Sequence, residues 1–451
     1  MYTFTVPKLL TSAHWIHDDT KFVDLDFKIY NKKQMLNRIE AWKNWLTQRK
    51  IKKLMLFDYT NLNSVSIFFA CFELGIQIRT STEPAKIDSN EVDLVILGPT
   101  YKNFNDSTNL KFVLIDYKTL ADSTVEYQPT AMDPDFICLT GTLSFISGLY
   151  TQDIKTLYWA TAASEHSFKF YGKKYCSYPQ FNHVGTIALS VTGPIFGGAK
   201  IYAIDHFHEM IMLASRGVVD VVFMFGSQLS AFIEFEKNQN LIKKNYKVDL
   251  NNVEINTGGT SVSPAEGDWV LNRGGKRILT VFTDNNVMAP IFIENIDSTN
   301  FDFLKRTLGK SCSFVKSRID ENNCLWVKNE INSSILQPTV DGWFKTSDFV
   351  MEKNGQYLFK GRKRIGNNFL TDYEDIVVAE VNDGTVNFGD FLLTYSNDSN
   401  TITINAFNLS LYDKLSGIQH TLISKMKKLG NISDLYIDYL DPSKGQKGTH
   451  G

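Results

Sequence analysis

The sequence predicts an α/β protein: a large α/β region, then a β-rich region, then a small C-terminal α/β module. Three observations carry this reading. Up to about Phe282, apolar runs of strand character alternate with stretches of helical spacing. From about Ile291, short β segments separated by turn residues take over. After Gly361, helix and strand patterns return. Strands separated by helices imply a mostly parallel sheet with helices on both faces.

Each element follows from its pattern. Lys33 to Lys50 places Leu36, Ile39, Trp42, Trp45 and Leu46 at helical spacing. Lys53 to Asp58 (KLMLFD) reads as a buried strand and Asn63 to Leu74 as a helix packed on it. Val92 to Leu97 and Phe112 to Asp116 are further short strands. In the middle third, Asp135 to Thr140 reads as a strand and Gln152 to Tyr171 as a long helix. Ala199 to Ile204, Val218 to Phe225, Val253 to Asn256 and Arg277 to Phe282 read as strands, with a helix at Ser227 to Phe235. Cys324 to Lys328, Gly342 to Thr346 and Gln356 to Lys360 form the β-rich region.

Composition bounds the function. The chain has 451 residues, 43% hydrophobic and 21% charged, which excludes wholesale disorder and predicts two or three domains. Lys+Arg 47 against Asp+Glu 49 leaves a net charge of -2. That balance argues against a dedicated nucleic-acid binder and against a polybasic membrane-surface protein. The cysteines (Cys71, Cys138, Cys176, Cys312, Cys324) are widely spaced, with no CxxC. A disulfide framework or a zinc site is not expected, and a reducing compartment fits. Met1 to Thr20 holds no apolar core of signal-peptide length. The most apolar window, Gly185 to Ile204, is interrupted by Gly193, Pro194, Gly197 and Gly198, whereas a membrane span needs about 20 unbroken apolar residues. A cytoplasmic protein without a membrane span is the expectation.

The most specific stretch runs from Asp341 to Arg364, DGWFKTSDFVMEKNGQYLFKGRKR: a turn, an acidic residue, a hairpin and a Gly-Arg pair. It resembles the adenylate-forming superfamily of acyl-CoA synthetases, peptide-synthetase adenylation domains and luciferases. The family pattern G-W-[FY]-x-T-G-D stands here as Gly342-Trp343-Phe344-Lys345-Thr346-Ser347-Asp348, with Gly361-Arg362 downstream. The resemblance implies that Asp348 binds both ribose hydroxyls of ATP, a role suited to a carboxylate because it accepts two hydrogen bonds at once. It implies that Arg362 meets the nucleotide and that a domain hinge follows.

Further segments resemble the family in order. Asn323 to Val327 is similar to its G-E-L-W-V strand. Asn256 to Pro264 (NTGGTSVSP) is similar to the turn where glycines, here Gly258 and Gly259, let adenine approach closely. Pro179 to Gly185 (PQFNHVG) resembles P-x-F-H-x-x-G and implies His183 near the acyl-substrate pocket. Pro194 to Ala203 resembles P-L-x-x-G-A-x-x-V.

Three segments depart from the pattern. The phosphate loop [ST]-S-G-T-T-G-x-P-K-G stands as LTGTLSFISG over Leu139 to Gly148. Thr140, Gly141, Thr142 and Gly148 are kept, while Leu143, Ser144, Ile146 and Ser147 replace Thr, Gly, Pro and Lys. Glycines and hydroxyls there cradle the β- and γ-phosphates and the Lys adds charge, so its loss weakens pyrophosphate handling. Y-G-x-T-E falls on Arg277 to Val287 (RILTVFTDNNV). Placing Thr283-Asp284 on the T-E gives Thr283 the α-phosphate and Asp284 a Mg²⁺ ion, for which Asp is a hard-oxygen ligand. The stacking Tyr is then Thr280. The alternative register puts Phe282 on the Tyr and Asn286 on the Glu. The catalytic-Lys motif P-x-T-x-x-G-K stands as PSKGQKG over Pro442 to Gly448, which implies Lys447, with Lys444 as the fallback.

The resemblance implies two α/β subdomains plus a β-rich subdomain over residues 1–361 and a small mobile α+β lid over 362–451. It implies activation of a small carboxylic acid with ATP, Mg²⁺ and release of pyrophosphate. Acyl transfer to a thiol or amine acceptor, such as coenzyme A or a phosphopantetheine carrier, would follow. The alternative is a catalytically degenerate nucleotide- or adenylate-binding protein on the same fold.

Overall fold

The structure is a computed structural model. It describes residues 6–58, 60–80, 91–98, 111–114, 125–143, 146–178, 187–243, 246–259, 262, 264–284, 287, 289–297, 307–329, 340–353, 355–381, 386 and 390–440. The N-terminal segment forms a short helix, α1 (Ser12–Trp15), and a hairpin, β1 (Lys21–Val23) and β2 (Ile29–Tyr30). Helix α2 (Lys32–Arg49) follows. Asn31 and Gln34 cap it reciprocally, Asn31 Oδ1 accepting from Gln34 N at 3.0 Å and Gln34 Oε1 from Asn31 N at 2.9 Å. Its buried stripe is Met35, Ile39, Trp42 and Leu46.

The next elements build the first sheet: β3 (Lys53–Phe57), α3 (Leu62–Leu74), β4 (Gln77–Thr80), β5 (Leu94–Leu97), β6 (Phe112–Leu114), β7 (Ile137–Leu143) and β8 (Ile146–Asp153). Its order is β6-β5-β3-β4-β7-β8, parallel except for the β7–β8 hairpin. A buried ion network joins α2, α3 and the segment before β7. Lys43 Nζ lies 2.8 Å from Glu40 Oε2 and 3.0 Å from Glu73 Oε2, and it donates to Gln128 O and Thr130 Oγ1. Tyr127 donates to Glu73 from the other side.

Helix α4 (Ile154–Phe168) leads into the second sheet. Its elements are β9 (Lys174–Ser177), a buried π-helical turn (Ile187–Thr192) running into α5 (Gly193–Phe196), β10 (Lys200–Tyr202), α6 (Phe207–Ser215), β11 (Val221–Phe225), α7 (Gly226–Ile242), β12 (Glu254–Gly258), α8 (Pro264–Asn272) and β13 (Arg277–Phe282). Antiparallel strands continue it: β14 (Phe292–Ile296), β15 (Thr307–Ser311), β16 (Val315–Ile319), β17 (Cys324–Asn329), β18 (Phe344–Lys353) and β19 (Gln356–Phe359). The 13-stranded order is β16-β17-β18-β19-β15-β14-β13-β12-β11-β9-β10-β1-β2. One apolar core lies on the face carrying Tyr175, Phe223 and Leu279 and extends to the first sheet, and a second lies on the face carrying Val222, Ile255 and Ile278.

A third core, from Ile365 to Leu435, belongs to the C-terminal part. Here stand the small hairpin β20 (Arg364–Ile365) and β21 (Asn368–Phe369), α9 (Leu370–Val381), β22 (Phe391–Ser396), β23 (Thr401–Ala406), α10 (Leu409–Gly417), α11 (Gln419–Leu429) and β24 (Asp434–Tyr439). The sheet order is β22-β23-β24.

The α/β expectation holds; among the element bounds that differ, the helix expected at Ser227–Phe235 runs Gly226–Ile242 and the strand expected at Gly342–Thr346 runs Phe344–Lys353, and two further differences bear on the phosphate-loop segment. The strand expected at Asp135–Thr140 runs from Ile137 to Leu143 and pairs with a second strand, β8, that begins inside the segment read as a phosphate loop. The helix expected from Gln152 starts at Ile154, because Asp153 is its N-cap and accepts from Thr156 N at 2.8 Å. Among the described residues, no helix is long and apolar enough to cross a membrane.

Candidate active site

The site forms along β18 and the turn after β19, towards the end of β13, where Phe282 packs on Phe359. Asp341 and Gly342 both adopt positive φ (53° and 76°), turning the chain into β18. Along β18, Thr346, Asp348 and Val350 point inward by strand alternation and are buried. Thr346 fixes this register. Its hydroxyl donates to Leu325 O at 3.0 Å and accepts from Asp348 N at 3.1 Å. Beyond β19 the pairing continues, Phe349 N donating to Gly361 O and Lys360 N to Phe349 O, both at 2.8 Å. Gly361 has φ 85°, so the chain turns and Arg362 comes beside Asp348.

Arg362 Nε donates to Asp348 Oδ1 at 2.7 Å; the Asp348 side chain has no exposed surface and the Arg362 side chain is 28% exposed. The other oxygen, Asp348 Oδ2, is buried and has no hydrogen-bond partner among the described residues. Asp348 and, to a smaller extent, the charge of Asp284 raise the Arg362 pKa above its ordinary value, against the opposing effect of burial. The guanidinium thus pairs with the β18 carboxylate and feels a second one at the end of β13. Asp284 is buried, and the Thr283 hydroxyl donates to Asp284 O at 3.4 Å. Gly258 and Gly259 end β12 next to β13. A Cβ on Gly258 would lie 2.9 Å from Val281 O, and Gly259 holds φ 82°, so both positions exclude ordinary side chains. Phe282 packs on Phe292 and Phe359 with ring centroids 5.9 and 5.7 Å apart.

These residues fit a nucleotide. An orphaned buried carboxylate oxygen is an acceptor waiting for a hydroxyl donor, and Arg362 holds a charge and further N–H donors for phosphate. The fit to Mg²⁺ is narrower. Asp284 supplies one hard-oxygen ligand, and among the described residues no three His, Cys, Asp or Glu side chains form a metal-binding group. An ion there would draw most of its ligands from phosphate and water.

The candidates farther along the chain are placed differently. Thr140, Gly141 and Thr142 lie within β7. Thr140 and Gly141 are paired with β4 on one side and β8 on the other, and Thr80 Oγ1 donates to Thr140 O at 3.3 Å. The hairpin closes with Leu143 opposite Ile146. His183, Asn286, Lys444 and Lys447 lie outside the described residues. Thr346 matches the T of the T-x-D string, and its part in setting the Asp348 register comes only from the packing of β18 on Leu325.

No family model matches the sequence, and no curated protein matches it. Solved structures do match in fold. An anthranilate CoA ligase, AuaEII, solved with anthranoyl-AMP, superposes with a TM-score of 0.70 over 99% of this chain and 96% of its own, at 11% identity. The chain has the fold of adenylate-forming enzymes. The McyG A-PCP structure with phenylalanyl-adenylate gives a TM-score of 0.67 at 17% identity over 98% of this chain and 95% of that one. The amide bond synthetase McbA from Marinactinospora thermotolerans gives 0.67 at 12% identity, covering 95% and 94%. This adenylate-forming fold spans the chain from the first sheet to the C-terminal unit.

Proposed function

We propose that the protein activates a small carboxylic acid as its acyl-adenylate. The supporting observation is the Asp348–Arg362 pair: a fully buried carboxylate with one oxygen held and the other unpartnered, beside a guanidinium that also feels the charge of Asp284. In this reading Asp348 receives the ribose hydroxyls. Arg362 stays cationic and offsets phosphoryl charge as it redistributes. Thr283 and Asp284 face the α-phosphate and Mg²⁺, and Gly258 and Gly259 keep the adenine side open. An oxygen of the acid bonds to the α-phosphorus of ATP while the bond to pyrophosphate breaks. His183 would border the acyl pocket, and Lys447 would bring an ammonium to the reacting centre on a mobile lid formed by residues 362–451. A thiol or amine then takes the acyl group and AMP leaves.

A second reading has one specific observation in its favour. The β7–β8 hairpin commits Thr140 and Gly141 to ladders on both sides, and Ser147 stands where the family has Lys. A protein that holds AMP or an adenylate but turns ATP over slowly fits that arrangement. Pyrophosphate release from ATP with a mixture of carboxylic acids, measured beside nucleotide thermal shifts, separates the two. Release supports activation; a shift without release supports the binding protein; no shift with ATP or AMP overturns both.

A further inference from the structure

Between β9 and β11 the chain reverses direction across the sheet: β10 pairs on one side of β9 and β11 on the other. In open α/β sheets ligands bind outside the carboxyl ends of the strands at such a switch point. The neighbouring side chains are unusual for a core. Tyr175 and Ser177 on β9 and Asn256 on β12 share the face of Val221, Phe223 and Leu279. Register sets Ser177 opposite Phe223, and Phe223 opposite Asn256. Ser177 and Asn256 therefore form a row across three strands with Phe223 between, and Tyr175 stands beside it on β9, opposite Val221.

All three are buried, at 0%, 1% and 2% exposure. Asn256 Oδ1 has no hydrogen-bond partner among the described residues, and Tyr175 Oη and Ser177 Oγ, which face each other, have no further one. Buried polar atoms are ordinarily paired, and each orphan destabilises the fold. Burial raises the Tyr175 pKa well above its ordinary value, with nearby Ser177 opposing, so the phenol remains a donor. The row itself carries no charge. Glu254, at the foot of the same face, is already held by Lys173 at 2.9 Å and Arg277 at 2.7 Å.

We propose that this row receives a neutral hydrogen-bonding group, a hydroxyl or amide, at the far end of the acid that the protein activates. The inference rests on the adenylation reading and deepens it. An ammonium or second carboxylate would find no counter-charge there. Asn256 precedes Gly258 by two residues, about 7 Å of strand, so the row lies within one ring or a short chain of the nucleotide side of the site.

The test uses the full chain with AMP and two matched pairs of acyl sulfamoyl adenosines: 4-hydroxybenzoyl against 4-methylbenzoyl, and 5-hydroxypentanoyl against hexanoyl. The expected result is AMP binding, together with at least a tenfold preference for the hydroxyl member of one pair. Asn256→Leu should reduce that preference to within about twofold, and Ser177→Ala provides the same readout should Asn256→Leu fail to fold. AMP binding with no hydroxyl preference overturns the proposal and leaves adenylation standing. A preference that survives both variants, or variants that only raise the melting temperature, also overturns it by making the row structural. Failure of AMP and all four analogues to bind removes the adenylation reading, and this inference with it.

Discussion

Asp348 carries a cost that folding does not recover: one oxygen binds Arg362 and the other has no described partner. Asp348→Asn should raise the Kd for AMP by tenfold or more, since a hydrogen bond to a charged group contributes about 1.5–3 kcal/mol. The melting temperature should change little, and calorimetric titration beside a melting curve checks both. The pair was legible because one hairpin carries both residues within a short string. That the Asp284 charge reaches Arg362 depends on the end of β13 approaching the turn after β19, which no local pattern encodes. Asp205, after β10, gives a second residue-scale test. Burial and the Glu209 charge push its carboxyl from 3.8 up to about 7. The folded chain then keeps this proton to higher pH than the unfolded chain, so the contribution is full below about pH 4 and is lost as pH rises towards 7. Relative to Asp205→Asn, the parent should lose melting temperature across that window; parallel curves would refute the shift.

Among the elements, the β7–β8 hairpin departs furthest from its sequence reading. Threonines and glycines from Thr140 to Gly148 look like a phosphate loop in isolation, but strand pairing depends on partners distant in the chain, here β4. With the Thr140 and Gly141 backbone in the ladder, we expect ATP to bind within about threefold of AMP in competitive displacement. Ser147→Lys alone should not widen that gap, whereas a tenfold gain would restore the loop reading. Helix α2 makes a stability prediction. Lys43→Met would leave Glu40 and Glu73 buried without their shared cation, and breaking a buried pair by removing one partner costs about 3–5 kcal/mol. Urea unfolding measures it. The helix itself was read almost to the residue because its stripe is local. The network was not, since Glu73 and Gln128 reach Lys43 from other elements.

At the scale of the whole molecule, the question is how the C-terminal core attaches to the rest. A separate apolar core begins at Ile365, three residues beyond the Gly-Arg element. The chain just beyond Arg362 is clasped, however. Arg364, in β20, pairs with Phe369 of β21, its guanidinium lies over the rings of Phe349 at 4.8 Å and Phe369 at 4.5 Å, and Nη2 donates to Asn322 O at 2.7 Å. Phe349 and Asn322 belong to the large sheet and its turns, Phe369 to the C-terminal side, so Arg364 bridges the two. A lid that moves at this joint must first open that clasp. Two ring contacts and a hydrogen bond together contribute about 2 kcal/mol, roughly thirtyfold in an opening equilibrium. Arg364→Ala should therefore be cut by thermolysin near Ile365 many times faster than the parent, leaving a stable core that ends near residue 362. Adenylate analogues should change the rate in the parent. Equal cutting of both proteins, or cleavage elsewhere with this joint intact, would mean that Arg364 is not the restraint.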